Sequence, residues 1–190
     1  MSHNAAFAGA IPRPAAAGAP QCAGRPGELE QWYTQVRGWP VERVERDGHG
    51  ESGGSGETSE LWLPAGSRFD ALEVPEEAGR RALRRLLGYG QAALAPGPVA
   101  VNGSGGCVFF VAPGARDDLP ELLDWLDWGG IDLGLRAYGE GDRLPAPRRD
   151  QWLHDPLGAV PEVIALLATI AQACSAHRLP GRGRRSRGEA

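Results

Sequence analysis

The order of elements along this chain predicts an α/β (α+β) domain, a mixed sheet with helices packed on it. Two observations carry that expectation. Short apolar runs bounded by Gly and Pro alternate with segments whose apolar residues recur every three or four positions, the patterns of strand and helix. The composition is that of a globular protein, 42% hydrophobic and 23% charged over 190 residues, enough for one buried core.

Order is expected to begin at Glu28. Leu29, Trp32, Tyr33 and Val36 fall at helical spacing, Gly38 stops that helix, and 39–44 reads as a strand. Residues 60–63 and 69–74 read as two further strands. Pro75 then suits the first position of a helix, with Glu76 and Glu77 at its positive end. That helix buries Ala78, Ala82, Leu83, Leu86 and Leu87 and turns Arg80, Arg81, Arg84 and Arg85 outward, with Gly88 as its cap. The i,i+4 spacing predicts Glu76–Arg80 and Glu77–Arg81 pairs on a solvated face, against which stands a nucleic-acid contact. Residues 97–102 and 107–112 read as strands joined by the glycine turn 103–106. Asp117 or Asp118 caps a helix packed through Leu119, Leu122, Trp125 and Leu126. Residues 131–138 and 143–145 read as a strand pair turning at Gly139–Asp142. A last helix, 161–177, packs through Val163, Ile164, Leu167, Ile170 and Cys174.

The ends differ from this core. Residues 1–26 are mostly Ala, Gly and Pro and are expected to be a disordered arm, as is a loop at 47–59. The first residues carry no basic start followed by an apolar run, so no signal peptide is expected, and no stretch is long enough to suggest a membrane partner. The scattered Cys22, Cys107 and Cys174 suit reduced thiols in a cytoplasmic protein better than a disulfide framework. All 20 basic residues are Arg, which reads first as codon bias. The net charge of −4 argues against a uniformly basic nucleic-acid coat. The tail, 178–190, concentrates Arg178, Arg182, Arg184, Arg185 and Arg187 among glycines. It reads equally as an electrostatic nucleic-acid contact or as a disordered solubilising end.

Three stretches in order carry a family resemblance: the helix running into Gly38-Trp39-Pro40-Val41; the run from Asn102 through the glycine turn and apolar strand to Gly114; and Gly130-Ile131-Asp132-Leu133 followed by Ala146-Pro147. Together, over about residues 28–150, they resemble the N-terminal domain of bifunctional DNA primase/polymerases, within the archaeo-eukaryotic primase fold. The resemblance implies metal-dependent nucleotidyl transfer on DNA, with Mg²⁺ or Mn²⁺ held by acidic side chains and nucleotides and DNA as partners. It implies Asp132 as one acidic residue, Asp70 and Glu73 where the family carries an Asp-x-Asp strand, and Gly103, Ser104, Gly105 and Gly106 as a nucleotide-binding turn.

The departures are as informative as the matches. Asp70 and Glu73 are three apart, and in an extended strand such residues point to opposite faces. Val108 stands where the family has a nucleotide-contacting His. Asp70, Glu73 and Asp132 are therefore either a residual metal site, with Glu73 and Asp132 as its ligands, or strand-end carboxylates in water. The glycine turn is at minimum a hairpin and at most a phosphate nest. Trp125 and Trp128 are base-stacking candidates, with core packing the expected role for Trp125. Ser104 lacks the frame and partners of a hydrolase nucleophile. Three functional readings stand together: a divergent primase/polymerase-like nucleotidyltransferase, an inactive interaction or regulatory module of that fold with a protein partner, and a nucleic-acid-binding protein acting through its Arg tail.

Overall fold

The computed structural model describes residues 27–44, 60–90 and 95–178. The expected arm, the 47–59 loop and the tail after Arg178 lie outside the described residues. The fold class is α+β. A helix, α1 (Glu28–Gln31), continues as a π-helical turn through Trp32–Arg37, and β1 (Glu42–Val44) follows. Then come β2 (Glu60–Pro64), β3 (Asp70–Pro75), α2 (Glu76–Gly88), β4 (Val99–Val101), β5 (Gly106–Val111) and α3 (Ala115–Trp125). The chain closes with β6 (Arg136–Tyr138), β7 (Arg143–Pro145), β8 (Trp152–His154) and α4 (Val163–Arg178).

The strands form a sheet ordered β6-β3-β5-β4-β8 and a smaller one ordered β1-β2-β7. Every pairing is antiparallel, where a mixed sheet was expected. Only β4 and β5 are joined as a hairpin; β3 and β4 flank β5 and run parallel to each other, with α2 between them in sequence, so β5 fills the place between two parallel strands.

Alternation along the central strands separates two cores. Leu72, Val74, Val99, Cys107, Phe109 and Val111 face the helices α2, α3 and α4. Ala71, Ala100, Val108 and Phe110 face the small sheet and the N-terminal helix, where Tyr33, Trp39, Leu63 and Phe69 complete the second core. Because both faces are covered, β5 is buried from end to end. The second core is largely aromatic: the Trp39 ring centroid lies 4.3 Å from Phe69 and 4.9 Å from Phe110. Tyr33 anchors the chain's start to a distant segment, its hydroxyl donating to the Pro147 carbonyl at 2.6 Å.

Several element-level expectations are corrected. Residues 131–138 and 143–145 do not form a strand pair. The Gly139–Asp142 turn, closed by Asp142 N–H to Gly139 O at 2.9 Å, carries the chain out of one sheet and into the other. There β6 meets the edge of β3, and β7 meets β2. Gly114, with φ of 95°, precedes α3, while Asp117 and Asp118 lie inside its first turn. Trp125 is 77% exposed: the inward stripe of α3 runs through Ala115, Leu119 and Leu122 to Leu126, and Trp125 flanks it. Ile164 and Leu87 likewise lie outside the buried stripes of their helices. Pro75 ends β3 and precedes α2, so it stands one position earlier than expected. The short strand β8, unforeseen in the sequence, covers the outer edge of β4.

Helix α2 comes very close to β5 at one point. A Cβ built on Gly79 would lie 2.3 Å from Cys107 Cβ and 2.5 Å from its Sγ. Gly79→Ala is expected to lower stability by about 1–3 kcal/mol in urea unfolding, because overpacking outweighs the helix-propensity gain. Burial pushes the Cys107 thiol up to about 12, so this thiol is expected to resist alkylation near neutral pH in the folded chain and react readily in denaturant.

Candidate functional site

Glu73 is the centre of the best-defined polar cluster. It lies on β3 with Arg136 of β6 opposite it on one side and Val108 of β5 on the other. Its side chain is on the small-sheet face with Ala71. The Tyr138 hydroxyl donates to Oε2 at 2.5 Å, and the Asn102 amide donates to Oε1 at 2.5 Å. One carboxylate on β3 thus ties neighbouring β6 to the end of β4 on the far side of β5. Burial, then the Glu73 hydrogen bond, pushes the Tyr138 phenol up to about 12.

Asn102 also organises the glycine turn. Its Oδ1 accepts the Ser104 N–H at 3.1 Å, the Ser104 hydroxyl at 2.9 Å and the Gly106 N–H at 2.7 Å. The turn closes with Asn102 N–H donating to Gly106 O at 2.9 Å, and Gly105 O accepts the Glu76 N–H at 3.0 Å at the start of α2. Gly105 adopts φ of +83°, open chiefly to glycine. Gly106 is required for a different reason: a Cβ there would lie 2.3 Å from Glu73 Oε1 and 2.8 Å from Asn102 Nδ2. The N–H groups of Ser104 and Gly106, which a phosphate nest would present, are already taken by an intramolecular oxygen. The hairpin role of the turn is therefore fully explained by its own hydrogen bonds.

Beside this cluster is a shallow cleft of about 300 Å³, lined by Glu73, Pro75, Ser104, Gly105, Gly134 and Arg136. It joins the glycine turn to the acidic strand and to the segment following Asp132. The Arg136 guanidinium lies 4.6 Å over the Tyr138 ring and has no ion-pair partner among the described residues. The cleft thus offers one cation, one hydroxyl and a carboxylate whose two oxygens are engaged.

The other carboxylates lie elsewhere. Asp70 is on the opposite face of β3 from Glu73, as their three-residue spacing predicts. It is only 2% exposed, and its Oδ2 accepts the Arg116 N–H at 3.0 Å, capping the first turn of α3 from the adjacent face of β3. Asp132 sits in the loop before β6 and pairs with Arg178, the last residue of α4. The Arg178 guanidinium and the Gly134 N–H hold its carboxyl below the usual carboxylate range. Divalent cations need several oxygens converging on one point. Among the described residues, no group of three or more His, Cys, Asp or Glu side chains is placed to hold a metal, and these three carboxylates do not fit a two-metal centre.

The remaining candidates separate in the same way. Arg178 is engaged by Asp132, and Arg182, Arg184, Arg185 and Arg187 lie outside the described residues. His154 Nδ1 is 2.8 Å from the Gly97 carbonyl, and His177 approaches Glu77 at 3.5 Å, so both are held locally. Among the described residues no helix is long and apolar enough to cross a membrane. No family model, curated protein or solved structure matches the chain.

Sequence reasoning missed the two residues that build the cluster. Asn directly before a glycine-rich turn is a signal for a side chain that bonds the following backbone, and it could have marked Asn102. Nothing local to Tyr138 indicates that it will meet Glu73.

Two outcomes are expected from this geometry. Asn102→Asp removes the donor to Glu73 and sets a like charge beside it, so stability should fall by roughly 2–3 kcal/mol at pH 7, measured by urea unfolding. Tyr138 has a folded pKa raised from 10.0 to about 12, so its contribution is complete below pH 10 and lost as pH rises through about 12. Glu73→Gln removes the negative neighbour but not the burial, so the Tyr138 midpoint should fall below that of the parent yet stay above 10 in an alkaline titration followed by ring NMR signals.

Proposed function

We propose that this chain is a divergent primase/polymerase-like domain that serves as a non-catalytic interaction or regulatory module. The observation that carries this reading is the dispersal of its carboxylates: Asp70 caps α3 on one face of β3, Glu73 binds Tyr138 and Asn102 on the other, and Asp132 pairs with Arg178. Nucleotidyl transfer through metal ions needs those oxygens together and available. Val108, opposite Glu73 across the β3–β5 ladder, is an apolar core side chain and offers no proton or hydrogen bond to a nucleotide.

A second reading, residual nucleotidyl transfer on DNA with Mg²⁺ or Mn²⁺, draws support from the cleft that unites the glycine turn with Glu73 and Gly134. A primer-extension assay with labelled deoxynucleotides and Mn²⁺ separates the two. The module reading expects no incorporation above that of an Asp132→Ala control. Incorporation that Asp132→Ala abolishes would overturn it and establish the enzyme.

A further inference from the structure

Helix α2 carries Arg80, Arg81, Arg84 and Arg85 on its exposed side. The ion pairs expected to neutralise them form only in part. Arg80 binds Glu76 at 2.7 Å, but Glu77 approaches His177 of α4 at 3.5 Å and leaves Arg81 without an acidic partner. Arg84 likewise has no ion-pair partner among the described residues, while Arg85 is steadied by the Gln172 side-chain oxygen at 2.8 Å. Like charges at i,i+4, Arg80 with Arg84 and Arg81 with Arg85, repel along this face. A bound polyanion relieves that repulsion.

The second feature is aromatic. Tyr89 retains helical dihedrals after α2, with φ of −71° and ψ of −24°, and its N–H bonds the Arg85 carbonyl. It therefore extends the Arg81–Arg85 stripe by one further turn. It is 49% exposed. A stripe of guanidinium groups ending in an open aromatic ring combines phosphate pairing with base stacking. A lipid surface fits less well, because the apolar face of α2 is already buried against the sheet and α4.

We propose that the outer face of α2 binds single-stranded nucleic acid, with Arg81, Arg84 and Arg85 on consecutive phosphates and Tyr89 stacked on a base. This inference does not depend on the reading of the Glu73 cleft. The test uses the full chain and a labelled oligothymidylate, followed by fluorescence anisotropy across a salt series. Each arginine lost should reduce the slope of log affinity against log salt by about 0.7. The Arg81→Ala/Arg84→Ala double variant should therefore lose about 1.4 of slope, and the Arg81→Lys/Arg84→Lys variant should retain it. Tyr89→Ala should weaken binding at constant salt by about tenfold or more with the slope unchanged. Circular dichroism melts confirm that these surface variants are folded. An unaltered slope in the double alanine variant, undiminished affinity in Tyr89→Ala, or equal affinity for the matching duplex would each overturn the proposal.

Discussion

The antiparallel ladder between β3 and β5, running from Asp70 opposite Val111 to Pro75 opposite Gly106, is the constraint on which the rest of the structure depends. It satisfies the backbone polar groups of the two central strands, which lets both be buried on both faces. Its register then decides which side chains meet the helices and which meet the small sheet. A slip of one residue would exchange Leu72 and Val74 with Ala71 and Glu73, and would drive the Glu73 carboxylate into the helical core. The hydrogen bonds from Asn102 and Tyr138 to Glu73 penalise that slip further, because only the present register brings both donors to one carboxylate.

The same register distributes the acidic groups. Three residues along a strand reverse the side from which a carboxylate projects, so Asp70 belongs to the α3 side of the sheet and Glu73 to the other. Each then meets donors supplied by its own layer: a helix N-terminus for Asp70, a tyrosine and an asparagine for Glu73. In this sheet the two carboxylates of β3 fasten neighbouring elements to it.

Much of this architecture was legible in the chain. The strands from 60 to 111 and helices α2 and α4 announce themselves by periodicity, and the Asp70–Glu73 spacing alone foretold their separation. Pairing was less legible. The Gly139–Asp142 turn looks local, and nothing within it reveals that its flanks join different sheets. The Glu73 cluster was hidden because Asn102 and Tyr138 reach it from positions 29 and 65 residues away. The Arg face was visible as composition, but only the folded arrangement shows Glu77 turning toward α4 and Tyr89 extending the stripe.

The corner between the two sheets has a mechanical consequence. At Gly139–Asp142 the chain leaves β6 and enters β7, and Gly66, at φ of +93°, lies so close to Glu140 that a Cβ on it would be 2.5 Å from the Glu140 Cα. The Ala65 N–H also donates to the Asp142 carbonyl at 3.0 Å, and Arg116 of α3 grips the Asp142 carboxylate at 2.7 Å. Peeling the small sheet away would tug directly on the edge strand of the large one and on the first turn of α3. The two sheets and that helix should accordingly open as one cooperative block, with backbone amides of β2 and β3 exchanging with solvent on a common timescale.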